Sequence, residues 1–295
     1  MKKLLYSLVA FMLVAATACQ ETALTDGQTV SGETVEVSIS AKALVNSESK
    51  AALPDASSDD LTYYLEVYKN GALYDDLGSN TTGVFVTRLV SGQEFTLVAW
   101  ADHDTDEADF YNTDDLTNVS LNTENYDFNT TDRDAFAGTL TERITETTSI
   151  SMVLTRPFAR INIATTDIED IKSDALVPSH VQLVYNICVY SAYNVLESEV
   201  VGDAISFATF AAETVDTEGE LSVDYLFAPI DGGVANFTAN YTKNNEVVTE
   251  YTFSSIPYKR NYQTNISGNL LTKEGTIIVT VDQDWDGEEN YPLED

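Results

Sequence analysis

The chain has 295 residues, 43% of them apolar, with 14 glycines and 6 prolines, so it holds ample material for buried cores and is neither collagenous nor low-complexity. Asp and Glu number 48 against 15 Lys and Arg, a formal net charge of -33. A surface of that sign repels phosphate backbones and anionic head groups, which argues against nucleic acid as a partner and against a polybasic membrane-surface role.

Met1, Lys2 and Lys3 form a short basic head before an apolar run, Leu4 to Ala16, broken only by Ser7. The run is shorter than the about 20 residues a bilayer-spanning helix needs. Small residues Ala16, Thr17 and Ala18 precede Cys19, so residues 1–18 read as an export signal. Ala16-Thr17-Ala18-Cys19 resembles the lipobox of bacterial lipoproteins, which implies a diacylglycerol group on the Cys19 thiol and outer-membrane lipid as a partner; the other reading is a secretory signal that happens to end at Cys. Several acyl chains on one residue hold a protein to a membrane durably, where one would not. The only other cysteine, Cys188, lies in the apolar run Val181 to Tyr190 and reads as a buried small side chain, not a nucleophile. With Cys19 acylated no intrachain disulfide is available, and stability has to come from core burial.

Residues 19–33 are polar and read as a flexible tether. From Thr34 the dominant signal is period two: Val35, Val37 and Ile39 alternate in Thr34 to Ala41, and Tyr63, Leu65 and Val67 before the turn Lys69-Asn70-Gly71. Val84 to Leu89, Glu94 to Ala101, Ser149 to Thr155 and Phe158 to Ala164 continue it. The last two flank Arg156-Pro157, where proline removes a backbone donor and forbids a central ladder position; a domain boundary is placed there, giving units 34–156 and 157–295. The second half adds Val181 to Tyr190, Glu220 to Phe227, a hairpin over Val234 to Ser254, Asn261 to Leu271 and Thr276 to Trp285. Helical turns are expected only near Ile168 to Lys172 and Phe207 to Glu213. Short strands, short turns and alternation predict an all-β chain of two tandem antiparallel β-sandwich domains after the signal peptide.

The order of these features resembles the fimbrillin superfamily of Bacteroidales, precursors of type V pilus subunits and of the related anchor and accessory lipoproteins. The residues that carry the resemblance are the lipobox at Cys19, Asp60 to Tyr68, Phe95 to Ala101, the crossing Met152 to Ile163, Asn261 to Leu270 and Thr276 to Trp285. It implies transthyretin-like sandwiches, no catalytic activity, no cofactor, and other pilus subunits as partners by strand exchange. In shaft subunits of the family a protease cuts after a basic residue beyond the first strand, which leaves and is replaced by a neighbour's strand. Here Thr34 to Ala41 is the strand that would leave, and Thr276 to Trp285, with Ile277, Val279 and Val281 on one face, is a donor unless it pairs within its own domain. No Arg occurs before Arg88, so a cut would have to follow Lys42 or Lys50, both in the polar loop Lys42 to Asp60; otherwise the strand stays and the chain is an anchor or accessory subunit. Cys19-Gln20-Glu21-Thr22 carries one acid where surface lipoproteins of this group carry several, leaving the cell-surface and periplasmic faces of the outer membrane both open.

Enzyme chemistry finds no foothold in the sequence: the two histidines, His103 and His180, stand far apart, and neither a zinc signature nor a phosphate-cradling glycine loop occurs. Asp282, Asp284 and Asp286 before Gly287 match the opening of a calcium loop, but the twelfth position is Leu293, so a closing bidentate acid is missing and the expected metal content is none. Sixteen tyrosines allow a second reading, a carbohydrate-binding surface lipoprotein outside any pilus, if an exposed aromatic row crosses one sheet. The bland reading of Tyr63 and Tyr68 is a strand with one core face and one rim face.

Overall fold

The computed structural model describes residues 32–44, 61–103, 110–173, 176–215, 219–272, 276–283 and 289–291. Residues Glu33–Asp295 form one compact unit. In chain order the strands are β1 (Thr34–Ala43), β2 (Thr62–Lys69), β3 (Ala72–Asn80), β4 (Val84–Val90), β5 (Gln93–Asp102), β6 (Tyr111–Asn112), β7 (Val119–Leu121), β8 (Ala135–Ile144) and β9 (Thr148–Leu154). After Arg156-Pro157 come β10 (Phe158–Thr165), β11 (His180–Val189), β12 (Ala192–Asn194), β13 (Glu199–Val201), β14 (Ile205–Ala208), β15 (Ala212–Glu213) and β16 (Glu220–Phe227). The chain closes with β17 (Gly233–Lys243), β18 (Glu246–Tyr258), β19 (Tyr262–Gly268), β20 (Ile278–Gln283) and β21 (Glu289–Tyr291). Among the described residues no helix is long and apolar enough to cross a membrane.

The fold is all-β. A three-stranded sheet, β4-β1-β9, faces a four-stranded one, β3-β2-β5-β8. Between them lies a core of Val37, Ile39, Leu65, Val67, Phe85, Phe95, Leu97 and Leu154, drawn wholly from residues before Arg156. The opposite faces of β2 and β5 are buried too: Tyr68, Val98 and Trp100 enter a second, larger core with Phe110, Tyr111, Phe158, Ile161, Tyr225 and Phe237. A strand covered on both sides reads as a continuous apolar run, which is how Phe95 to Ala101 reads. The larger core is enclosed by β16-β10-β19-β20-β21 and β14-β11-β17-β18, and a small sheet, β13-β12-β7-β6, joins residues from both sides of Arg156-Pro157.

Several expectations need correction. The sheets are not purely antiparallel: β1 runs parallel to β9, and β10 parallel to β19. Phe207 to Glu213 is not a helical turn but carries β14 and β15, which pair with β11; near Ile168 there is one 3-10 turn. Tyr63 and Tyr68 are both buried, one in each core, so β2 has two core faces and no rim. Lys42 belongs to β1, which runs to Ala43, and not to a polar loop. The hairpin pairs Phe237 with Phe253 and Tyr241 with Thr249, as its alternation predicts. Asn70 and Gly71, at φ of 53° and 77°, supply the left-handed pair that turns β2 into β3.

Candidate interaction surface around the first strand

β1 occupies the middle of its sheet. Thr34 to Ser40 pair antiparallel with Val90 to Val84 on one side, and Val37 to Ala43 pair parallel with Thr148 to Leu154 on the other. Val37, Ile39, Ala41 and Ala43 point into the core, while Glu36, Ser40 and Lys42 face solvent. The strand is clamped at its ends as well: the Ala41 N–H donates to the Gly83 carbonyl at 2.8 Å, the Leu44 N–H to Leu154 at 2.9 Å, and the Arg88 guanidinium to the Thr34 carbonyl at 3.1 Å. Gly83 has φ +66°, and a Cβ there would lie 2.4 Å from the Ala41 oxygen, so this crossing requires glycine. Lys42 is paired opposite Val153, with its side chain exposed. Lys50 and Cys19 lie outside the described residues.

The C-terminal strand is held inside its own body. β20 pairs antiparallel with β19 over Tyr262 to Ser267, with Val279 buried and Ile277 against the larger core. Val281 is half-buried. A buried polar row fastens this sheet: Arg160 Nε donates to Asn162 at 3.0 Å, Asn162 Nδ2 to Asn265 at 2.8 Å, and Asn265 Nδ2 to Asp282 at 2.6 Å. Asp282 is therefore a buried strand residue; Asp284 and Asp286 lie outside the described residues. Among the described residues no three His, Cys, Asp or Glu side chains gather where a metal would need them. Cys188 is free and buried, and burial pushes its thiol up, away from reactivity. His103 is buried and His180 exposed on β11, bonded to its neighbour Ser179.

Sequence reasoning missed two buried ion pairs that tie residues 126–134 to later parts of the chain. Asp224, on β16, accepts from Arg133 at 2.5 Å, Tyr185 at 2.7 Å, its neighbour Tyr225 N–H at 2.8 Å and Tyr126 at 3.1 Å. Burial pushes its carboxyl up, and those donors pull it back. The Arg133 guanidinium also stacks 3.9 Å from the Tyr126 ring centre. The next residue, Asp134, takes two bonds from Arg156 Nε and one from its Nη2, at 2.6 to 2.9 Å. A lone acid inside the apolar run Leu221 to Ala228 was the available signal, since a buried carboxylate requires partners.

The tyrosines form no sugar-stacking row: none of those whose side chains are described is exposed. The described exposed apolar residues include Val84, Val86 and Val153 on the outer face of the β1 sheet.

The model of a family of unknown function, DUF6562, matches residues 27–294. Among solved structures the fold is similar to that of a candidate polysaccharide-binding protein from Bacteroides thetaiotaomicron, at 11% identity and a TM-score of 0.51, over 88% of this chain and 98% of that one. A fimbrial assembly protein from Parabacteroides distasonis matches at 9% identity and a TM-score of 0.44, over 88% of this chain and 98% of that one. The fimbrial anchor protein Mfa2 from Porphyromonas gingivalis matches at 10% identity and a TM-score of 0.44, over 84% and 96%. No curated protein sequence matches.

Proposed function

The chain belongs to DUF6562, a family of unknown function, and from the placement of its first strand we propose that it is a non-enzymatic, fimbrillin-type protein of the outer membrane, anchored through an acylated Cys19 and serving adhesion or pilus assembly as an anchor or accessory subunit. The observation that carries this reading is that the first strand of the compact unit fills the centre of a three-stranded sheet. Without it, β4 and β9 would each present an unpaired edge above an apolar floor, the kind of slot an alternating strand from another subunit fills. Lys42 lies in the parallel ladder with β9, opposite Val153, where a protease cannot draw the backbone into its cleft without first parting β1 from β9. That favours the uncleaved anchor or accessory subunit over a shaft subunit.

Proteolysis of intact cells, with mass spectrometry of the N-terminus, tests the reading. A mature end at an acylated Cys19 is expected. An end at Ala43 or Ala51 would mean that the first strand is removed and the chain polymerises, and an unmodified Cys19 would end the anchoring claim. The name of the Bacteroides thetaiotaomicron structure favours a second reading, carbohydrate capture. The buried or half-buried tyrosines count against it, because ring stacking on a sugar needs an open aromatic face.

A further inference from the structure

The outward face of the sheet β4-β1-β9 differs from the rest of the surface in charge. Alternation turns Val84 and Val86 of β4 and Val153 of β9 to that side, 48%, 60% and 63% exposed. Serines fill the rows between them: Ser38 lies between Val86 and Ser149, and Ser40 between Val84 and Ser151. The three strands carry three charged residues in all, Glu36 paired opposite Arg88, and Lys42 opposite Val153. Two cations against one acid leave this face with a net charge of +1, in a chain whose net charge is -33. Other sheets carry exposed acids: Glu213, Glu246 and Glu250 on β14-β11-β17-β18, and Asp76 and Glu142 on β3-β2-β5-β8.

The same face is where the chain from Cys19 arrives. β1 is its middle strand, and the Glu33 carbonyl just before it accepts from the Ser91 N–H at 2.8 Å. Residues 20–33 separate Cys19 from β1, a distance of at most about 55 Å even if fully extended. A body held so close to an anionic phospholipid surface is repelled wherever it shows carboxylates and attracted wherever it shows cations, over a Debye length of about 8–10 Å. The acidic sides are thereby turned away and the side with Lys42 is turned in, where aliphatic side chains can leave water at the head-group boundary. A covalently linked site needs little affinity of its own, because a short link holds its local concentration in the millimolar range.

We propose that the outward face of β4-β1-β9 rests on the phospholipid surface in which Cys19 is anchored, with Val84, Val86 and Val153 at the head-group boundary and Lys42 on lipid phosphates. This rests on the anchoring proposed above and adds an orientation to it. The sheet that holds the first strand is the side turned to the membrane, and the acidic faces are the ones left to meet partners.

Tryptophan quenching on vesicles tests the orientation. The chain from Cys19 onward, which holds the whole compact unit, is coupled through Cys19 to a maleimide phospholipid; Cys188 is buried and does not compete. The vesicles are phosphatidylethanolamine with about a quarter phosphatidylglycerol, brominated near the head-group end of the acyl chains. Quenching is read as the increment over the unsubstituted chain, which reports on Trp100 and Trp285. Val86→Trp and Val153→Trp are each expected to be quenched at least about threefold more than Val247→Trp, an equally exposed site on β18. Equal quenching at the three sites, or more at Val247→Trp, overturns the proposal. Adding Ser40→Glu and Lys42→Glu to Val86→Trp reverses the sign of the face and should bring its quenching down to that of Val247→Trp, with the unfolding midpoint unchanged because both side chains are exposed. A folded variant that stays as strongly quenched overturns it too. Since the coupling is chemical, this result does not depend on acylation in cells: an unmodified Cys19 there ends the anchoring claim, whereas an acylated Cys19 with no preference for positions 86 and 153 ends this one alone.

Discussion

If β1 is a replaceable insert, cutting the chain behind it should leave a slot that an added strand can enter. A specific protease site inserted after half-exposed Leu44 would convert the folded protein into two pieces without touching the ladder. The magnitude comes from burial. Val37 and Ile39 are fully buried and Ala41 and Ala43 nearly so; at about 1.5–3 kcal/mol for each large side chain and about 0.8 for each methyl, the gross apolar gain is about 5 to 8 kcal/mol. Backbone bonds to two flanking strands add about 0.5–1.5 kcal/mol each, and lost rigid-body freedom offsets several kcal/mol. A balance near -7 to -8 kcal/mol corresponds to a dissociation constant of about 1–10 µM. The assay is fluorescence anisotropy of a labelled peptide copying Thr34–Ala43, with mass spectrometry to confirm that it displaces the original piece. Ile39→Lys in the peptide buries a charge and should weaken uptake at least about a hundredfold, whereas Ser40→Lys, facing solvent, should change it less than about threefold. Equal uptake of the two peptides, or none of the parent, would refute the idea that inward pockets and a paired slot hold this strand.

Three further outcomes are expected. Trypsin acting on the native protein should leave the Lys42–Ala43 bond intact for as long as the sheet stays folded, as peptide mapping over a time course would show; early cleavage there would mean that β1 opens readily. Asp224→Ala strands a buried guanidinium and should cost about 3–5 kcal/mol in urea unfolding, while Arg133→Met with Asp224→Leu should recover part of that loss; strict additivity of the single changes would show the pair to be uncoupled. Burial pushes Asp167 up, but donors from Thr165, Thr272 and Leu271 outweigh it and hold its carboxyl below the usual range. Its contribution is therefore full above about pH 4 and is lost as pH falls through the lowered value, so Asp167→Asn should lower the urea midpoint at pH 7 and progressively less below pH 4; an equal penalty at pH 3 and pH 7 would contradict this.

The strands legible in the sequence are those whose environment alternates or is apolar throughout. β1, β4, β16 and the β17–β18 hairpin show the first pattern or the second, and their limits lie within a few residues of expectation. β3 escaped because hardly any of its side chains is buried and it carries Asp75, Asp76 and Gly78, so no period of two survives. β8 escaped for a different reason: Ala135 to Ala137 are buried on both faces, and Thr141 to Arg143 are exposed, two environments within one strand. β6, β7, β12 and β13 are too short to hold a period at all. The ion pairs are tertiary facts. Nothing local to Arg133 says that its partner lies 91 residues away, although the isolated acid at 224 shows that some partner must exist.

The two halves of the chain repeat one device, and the difference between the copies bears on function. In each, an early strand lies between an antiparallel and a parallel neighbour: β1 between β4 and β9, β10 between β16 and β19. β10 is buried on both faces, carries Arg160 and Asn162 into a hydrogen-bonded row that reaches Asp282, and is covalently continued at both ends within the body. Extracting it would expose polar groups that have no solvent and no substitute, at roughly 1–3 kcal/mol for each one stranded. β1 buries one face only, and that face is aliphatic. Any alternating apolar strand satisfies a floor of Leu65, Phe85 and Leu97, whereas only β10's own sequence satisfies the row beneath it. If strand exchange occurs in this protein, the first strand is the place for it, and the internal copy of the same topology is built to prevent it.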